Sequence, residues 1–165
     1  MDFKKVIMGK KVLIVDDEKD VLEVLTELLE LCKVDTASSF EQAKQLLERC
    51  DYHIVVLDIM GVKGFELLKI AKERGIPALM LTAHALSEES LTTAVKSGAA
   101  YFVPKEEMVK IPLFVADVID AKEKDKNPWV RWYDRLGNFF DSVVFTGSNW
   151  REREKDFWDR ILRGD

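Results

Sequence analysis

Three short apolar segments of this chain are each followed directly by a polar side chain. They are almost wholly Val, Ile, Leu, Met and Ala, and they comprise residues 11–15, 54–57 and 78–81. Apolar runs of this length are typical of strands in a parallel sheet that helices cover on both faces. The three segments therefore predict buried strands of an α/β domain.

Two more segments extend the predicted sheet to five strands. Residues 34–37 alternate between apolar and polar side chains, as a strand does at a half-exposed edge. Residues 100–103 are again apolar, and Pro104 directly after them is tolerated only at the end or the edge of a strand.

Amphipathic helical patterns separate these strands. Ser38 and Glu41 form a candidate capping box at the start of the second helix. The fourth helix, residues 87–97, has few apolar positions, and Pro112 opens the fifth in its first turn. Strands that alternate with helices predict a doubly wound α/β fold, which binds ligands beyond the carboxyl ends of its strands.

Polar residues gather where the predicted strands end. Asp16 and Asp17 follow the first strand, Asp58 the third and Thr82 the fourth, while Lys105 comes just after the fifth. Because parallel strands all end at the same edge of the sheet, we expect these five side chains to converge.

Three carboxylates in one place repel one another unless a cation is present. Mg²⁺ takes oxygen ligands and keeps some of its waters, so it suits this set of acids. A lysine and a hydroxyl beside the ion would contact the oxygens of a transferring phosphoryl group. One carboxylate can act as the nucleophile and form an aspartyl phosphate, so the residues predict a phosphoryl-acceptor site.

Four segments, VLIVDDE, IVVLDIM, ALMLTAHA and GAAYFVPK, resemble in order and separation the receiver domain of bacterial two-component response regulators, of the chemotaxis-regulator type. The resemblance implies a five-stranded parallel sheet of order 2-1-3-4-5. We interpret residues 1–126 as the receiver domain and residues 127–165 as a helical hairpin, called here the C-terminal extension.

The resemblance also implies a specific role for each of the three aspartates. It implies Asp58 as the phosphoacceptor and Asp16 and Asp17 as the acidic pair that holds Mg²⁺. Asp58 and the main-chain carbonyl of Met60 would complete the protein ligands of the ion.

The remaining residues implied by the resemblance respond to the phosphoryl group. Lys105 would contact it and Thr82 would be drawn towards it. Phe102 falls at the position of the family's rotating aromatic switch, and His84 lies at the rim where the family tunes dephosphorylation. We expect phosphorylation to shift the population of the surface formed by the fourth helix, fifth strand and fifth helix.

The sequence departs from the family's usual pattern at three places. Residues 58–64 form a short connection without the usual proline, and Pro104 precedes Lys105 where the family usually has a proline after the lysine. Phe102 also lacks the tyrosine hydroxyl of some relatives. The acids, Thr82 and Lys105 are all present, so we expect an active site.

Composition excludes several other classes of protein. The net charge of −5 argues against a nucleic-acid binder that works through a basic surface. No apolar run approaches the ~18 residues that a membrane-spanning helix needs. Cys32 and Cys50 lack metal-ligand or disulfide spacing, and no signal-peptide pattern is present, so we expect a cytoplasmic protein with reduced thiols.

All four tryptophans lie in the C-terminal extension. Helical spacing and caps predict one helix opened by Asn127 and Pro128 and another that carries Phe157 and Trp158, while residues 139–145 suit a helix or a strand. The extension could pack on the receiver, mediate self-association or partner docking, cover the switching surface, bind DNA or lie on a membrane. Its balanced charge argues against the last two functions.

We therefore predict a phosphorylation-controlled interaction module without a separate enzymatic output. The expected partners are a sensor histidine kinase and a downstream protein. We also consider a homodimer through the extension or through the surface of the fourth helix, fifth strand and fifth helix. The alternatives are a transcriptional regulator whose C-terminal segment binds DNA and a Mg²⁺-dependent phosphatase that uses Asp58.

Overall fold

The computed structural model describes residues 1–82, 88–140 and 150–164. A short helix, α1 (Phe3–Ile7), comes first. The strands that follow are β1 (Lys11–Val15), β2 (Lys33–Ala37), β3 (Ile54–Asp58), β4 (Ala78–Thr82) and β5 (Tyr101–Pro104). They form one parallel sheet in the order β2-β1-β3-β4-β5, which confirms the predicted fold.

The helices alternate with the strands as predicted. Those between strands are α2 (Lys19–Leu28), α3 (Phe40–Arg49), α4 (Gly64–Glu73) and α5 (Glu88–Lys96). After β5, a 3-10 helix (Lys105–Lys110) leads into α6 (Ile111–Glu123). The C-terminal extension contains α7 (Pro128–Phe139), α8 (Trp150–Arg153) and α9 (Lys155–Arg163).

The two edge strands of the sheet differ in burial. In β2 only Ala37 is buried, as the alternating pattern predicts for an edge. In β5 all four residues are buried, although β4 pairs with it on one side only. Another element must therefore cover the free edge of β5.

The capping box predicted for Ser38 and Glu41 is wrong by one residue. Ser39 is the N-cap of α3, and its hydroxyl accepts a hydrogen bond from the main-chain N–H of Gln42. The side chain of Gln42 in turn accepts a hydrogen bond from the N–H of Ser38. Two adjacent serines offer the same kind of cap, and the later one places Ala43 and Leu47 in the core.

Helix α6 is enclosed on nearly every side, because α1, α7 and the sheet all pack against it. Its buried residues include two acids, Asp117 and Asp120. The sequence did not predict α1, which is only five residues long.

Helices α7 and α9 pack together and share the hydrophobic core of the receiver part. The indoles of Trp132 and Trp158 stack with ring centroids 5.5 Å apart. Asn127 caps α7 by accepting from the N–H of Trp129, and its amide donates to the carbonyl of Ile161 near the end of α9. These contacts confirm a helical extension, while its boundary at residues 126 and 127 stays a prediction.

Most of residues 139–145, for which helix and strand were both considered, lies outside the described residues. Among the helices that are described, none has the length and apolar content to cross a bilayer.

Candidate functional site

The carboxyl edge of the sheet brings together the polar residues predicted to converge. Asp58 and Thr82 are the last residues of β3 and β4, and Asp16 directly follows β1. All three side chains are buried. Lys105 directly follows β5 and extends over the same edge.

Lys105 links the acids of this edge. Its Nζ lies 3.0 Å from Oδ2 of Asp16 and 3.7 Å from Oδ1 of Asp58. A third carboxylate, that of Glu18, lies 3.7 Å from the same nitrogen. The lysine therefore neutralises part of the negative charge that the strand ends concentrate here.

Three consecutive acids form a cluster of oxygen ligands. One carboxylate oxygen from each of Asp16, Asp17 and Glu18 lies within 4.8 Å of the others. The main-chain N–H of Glu18 donates to Oδ1 of Asp16 at 2.8 Å, which fixes the turn from β1 into α2. Glu18 was not among the residues predicted for this site, although its place directly after the two aspartates is a sequence signal that could have identified it.

The short connection after Asp58 closes against the acids. Gly61 has a φ of +81°, and a Cβ atom there would lie 2.5 Å from an oxygen of Asp17. A Cβ atom on Gly64 would lie 2.2 Å from the carbonyl of Asp58. The main chain of Asp58 leaves no room for a side chain at Gly64, and the positive φ of Gly61 favours glycine, so the two glycines let this short connection fold tightly.

Met60, the predicted carbonyl ligand, lies in this connection. Its main-chain N–H lowers the pKa of the Asp58 carboxyl slightly, and its side chain is exposed. Its role as a metal ligand stays a prediction.

Burial and mutual repulsion shift the pKa values of the acids. Desolvation, followed by the charge of Asp16, raises the pKa of Asp58 to about 6, although Lys105 lowers it. Desolvation likewise raises the pKa of Asp16. Burial alone would lower the pKa of Lys105, but the carboxylate of Asp16, 3.0 Å away, and the other nearby acids raise it overall. The site therefore holds more negative charge than its one lysine balances.

The chemistry of this donor set fits a hard divalent cation. Asp16, Asp17 and Glu18 offer carboxylate oxygens at spacings that one ion can bridge, and Asp58 lies beside them. Mg²⁺ prefers oxygen ligands of this kind and is bound by few protein groups at once.

The residues predicted to respond to phosphorylation lie along β4 and β5. Thr82 pairs with Pro104 across the two strands. Phe102 is fully buried, and its ring lies 6.0 Å from that of Phe140 in the extension. His84, the predicted rim residue, lies outside the described residues.

The fold and the acidic edge together define a doubly wound parallel α/β domain with an oxygen-ligand site at the ends of its strands. The sequence profile of the response regulator receiver domain matches residues 12–111. The chain therefore belongs to the response regulator receiver family of two-component signalling.

Individual relatives agree with this assignment. The heme response regulator HssR of Staphylococcus haemolyticus is 38% identical over 110 residues, covering 63% of this chain and 48% of HssR. A CpxR homolog of Haemophilus influenzae, a transcriptional regulatory protein, is 44% identical over 78 residues, covering 44% of this chain and 34% of that protein. This chain thus spans half or less of each.

Solved structures resemble the receiver part. A CheY-like response regulator receiver domain protein from Methanospirillum hungatei is 26% identical with a TM-score of 0.65, and the match covers 71% of this chain and 98% of that one. The family match ends at residue 111, ahead of the C-terminal extension.

Proposed function

We propose that Asp58 accepts a phosphoryl group from the phosphohistidine of a sensor histidine kinase, in a Mg²⁺-dependent reaction, and that this switches a protein-interaction surface. The observation that supports the proposal is the position of Lys105 Nζ, 3.0 Å from Asp16 and 3.7 Å from Asp58. A cation held between two buried acids suits the extra negative charge that a phosphoryl group brings.

The transfer forms one bond and breaks one. A carboxylate oxygen of Asp58 attacks phosphorus, and the bond between phosphorus and the imidazole nitrogen breaks. The electron pair of that bond stays on the nitrogen, which leaves as neutral imidazole because the other ring nitrogen carries a proton. The product is an aspartyl phosphate on Asp58.

The neighbouring residues hold the reacting groups in place. When bound, Mg²⁺ neutralises the acids and the phosphoryl oxygens. Asp16, Asp17, Asp58 and the carbonyl of Met60 are its proposed ligands, and Glu18 adds a carboxylate beside them.

The residues of β4 and β5 respond to the product. Lys105 moves its ammonium group from Asp16 to a phosphoryl oxygen, and the hydroxyl of Thr82 turns towards the same group. Phe102 is proposed to follow this movement as the aromatic switch. His84 keeps its proposed role at the rim, where it would affect attack by water on the phosphoryl group.

The two alternative functions gain no support from a specific observation. In residues 151–163, five basic side chains alternate with four acidic ones, and the apolar side chains Phe157 and Trp158 are buried. Such a surface lacks the excess of positive charge that phosphate contacts in DNA require. We propose no separate enzymatic output.

The first experiment measures the mass of the intact protein after incubation with acetyl phosphate and Mg²⁺. We expect one added phosphoryl group on the full chain, and none when EDTA is present during the incubation to chelate the Mg²⁺. Asp58→Asn should abolish the adduct, whereas Asp51→Asn, at an exposed aspartate paired with Arg74, should retain it. An adduct that persists in Asp58→Asn, or an absent adduct in the unaltered chain, would overturn the proposal.

A further inference from the structure

The C-terminal extension covers the free edge of β5. The indole N–H of Trp129 donates to the main-chain carbonyl of Ala99 at 3.0 Å, and that of Trp132 donates to the carbonyl of Phe102 at 2.7 Å. Both hydrogen bonds are buried. Two indoles thus satisfy one carbonyl of β5 and one just before it, and the indole of Trp132 occupies a carbonyl that a further strand could bind.

A charged contact fastens α7 to α6. The guanidinium of Arg135 binds both carboxylate oxygens of Asp117, at 2.5 and 3.1 Å. Asp117 is fully buried, and it also accepts a hydrogen bond of 2.7 Å from the hydroxyl of Tyr101 in β5. A buried carboxylate needs such partners, so the extension supplies charge that α6 requires.

The extension also reaches α5. Arg153 of α8 forms an ion pair with Glu88, and Lys96 lies 5.6 Å from the ring centroid of Phe157 in α9. The extension therefore contacts α5, β5 and α6, which are the fourth predicted helix, the fifth strand and the fifth predicted helix. We call this surface the α5–β5–α6 face.

We propose that the C-terminal extension is the built-in occupant of the α5–β5–α6 face, and that phosphorylation of Asp58 weakens its docking. The inference rests on the proposed function, because it gives that site its readout. A docked extension covers the face. A homodimer through the docked extension and a homodimer through the face therefore cannot form at the same time.

The coupling follows from the segment that the site and the extension share. Phe102 holds the indole of Trp132 through its carbonyl, and Lys105 lies three residues further along. Between them, Pro104 pairs with Thr82. A movement of Lys105 and Thr82 towards a phosphoryl group therefore displaces the end of β5.

The direction of the coupling follows from the geometry of the hydrogen bonds. The contacts of Trp132 and Arg135 are well formed with β5 in the position described here. Hydrogen bonds weaken steeply once the donor and acceptor leave their preferred distance and angle. A displaced β5 therefore binds the extension less tightly, and release of the extension favours phosphorylation by the same factor.

The face itself defines the partner that would replace the extension. Released, it presents the carbonyls of a sheet edge and two acids, Asp117 and Asp120, among apolar residues. A partner helix with tryptophan and arginine side chains fits it, because α7 binds through those groups.

The tryptophans provide the readout, since all four lie in the extension. The full chain is treated with acetyl phosphate and Mg²⁺, and each sample is divided between intact-mass measurement and acrylamide quenching of tryptophan emission. Hydrogen exchange of residues 128–139 is followed in the same samples. We expect the adduct to shift the docking equilibrium by about tenfold, seen as stronger quenching and faster exchange. Asp58→Asn should show neither change.

Two failures can be told apart in these samples. A complete adduct with unchanged quenching and exchange overturns the inference and leaves the proposed function intact. An absent adduct overturns the proposed function, and the inference with it.

A pair of variants tests the coupling from the other side. Arg135→Gln removes the contact with Asp117, so it should strengthen quenching without acetyl phosphate and raise the extent of phosphorylation. Arg160→Gln, at an exposed position of α9, should behave as the unaltered chain. Loosened docking without increased phosphorylation in Arg135→Gln would contradict the reciprocal coupling.

Discussion

The indole N–H of Trp132 lies 2.7 Å from the carbonyl oxygen of Phe102, three residues before Lys105. The same indole stacks on Trp158, so one side chain joins β5 to both long helices of the extension. The strand that ends at the acidic edge is therefore also the strand on which the extension rests.

Removal of this donor should destabilise the protein. Trp132→Phe keeps an aromatic ring but leaves the buried carbonyl of Phe102 without the indole, so we expect a loss of about 1–2 kcal/mol in the free energy of unfolding. Urea unfolding measures it. Tyr133→Phe is the control, because that hydroxyl has no hydrogen-bond partner among the described residues. Equal losses in both variants would contradict the assigned role of the indole.

The ion pair between Arg135 and Asp117 should respond unequally to loss of either partner. Asp117 is fully buried, whereas about a third of the Arg135 side chain is exposed, 36%. Arg135→Gln strands a buried charge and should cost about 2–4 kcal/mol in stability, while Asp117→Asn leaves an arginine that water can reach and should cost about 1–2 kcal/mol. Urea unfolding of both variants gives the order, and the reverse order would contradict this account.

Asp58 should make the stability of the metal-free protein depend on pH. Its pKa is raised from 3.8 to about 6, mainly by desolvation and then by Asp16, so folding favours the protonated form. The resulting stabilisation is complete below the unfolded pKa and is lost as the pH rises through about 6. In EDTA at pH 7.5, Asp58→Asn should therefore be more stable than the unaltered chain by about 1–3 kcal/mol. Thermal melting at each pH measures this. The difference in melting temperature between Asp58→Asn and the unaltered chain should shrink from pH 7 to pH 5, and a constant difference would contradict the prediction.

Gly61 should matter for the metal ligands beyond its own backbone. Gly61→Ala and Gly75→Ala both place alanine at a positive φ, of +81° and +71°. Only the first puts a methyl group against the carboxylate of Asp17, since no atom lies within 4 Å of a Cβ on Gly75. We expect both to lose about 1 kcal/mol of stability and only Gly61→Ala to lose Mg²⁺ affinity. Calorimetric titration with Mg²⁺ separates them, and similar affinities would show that Asp17 moves away freely.

Lys105 should set the acidity of Asp58. Its charge lowers the pKa of that carboxyl, so Lys105→Met should raise the pKa of Asp58 above about 6. Carbon NMR titration of the aspartate carboxyls in EDTA follows this value. Lys110→Met is the matched control, because Lys110 pairs with Glu107 instead. An unchanged pKa in Lys105→Met would mean that the ion pair seen here does not persist in solution.

The site could be predicted from the sequence because parallel strands have only one carboxyl edge. Once the apolar runs define β1, β3 and β4, the residues that follow them must meet, and Asp16, Asp58 and Thr82 do. The resemblance to receiver domains added the strand order, which no local pattern contains.

The docking of the extension could not be predicted in the same way. Its decisive contacts join residues far apart in sequence, such as Trp132 with Phe102 and Arg135 with Asp117. Tryptophan and arginine are equally suited to a core, an interface between copies or a partner site. Helix α1 was missed for a related reason, since it is only five residues long and is defined by its packing on α6.

When the extension leaves β5, the edge of the sheet becomes exposed and the protein can aggregate. A bare, apolar sheet edge is a template on which another chain can add a strand, and it is a common origin of aggregation. A receiver that frees this edge on signal therefore needs a partner ready to take it, or the extension must return quickly. The length of time for which the protein can remain in its signalling state is then limited by the solubility of an unprotected strand.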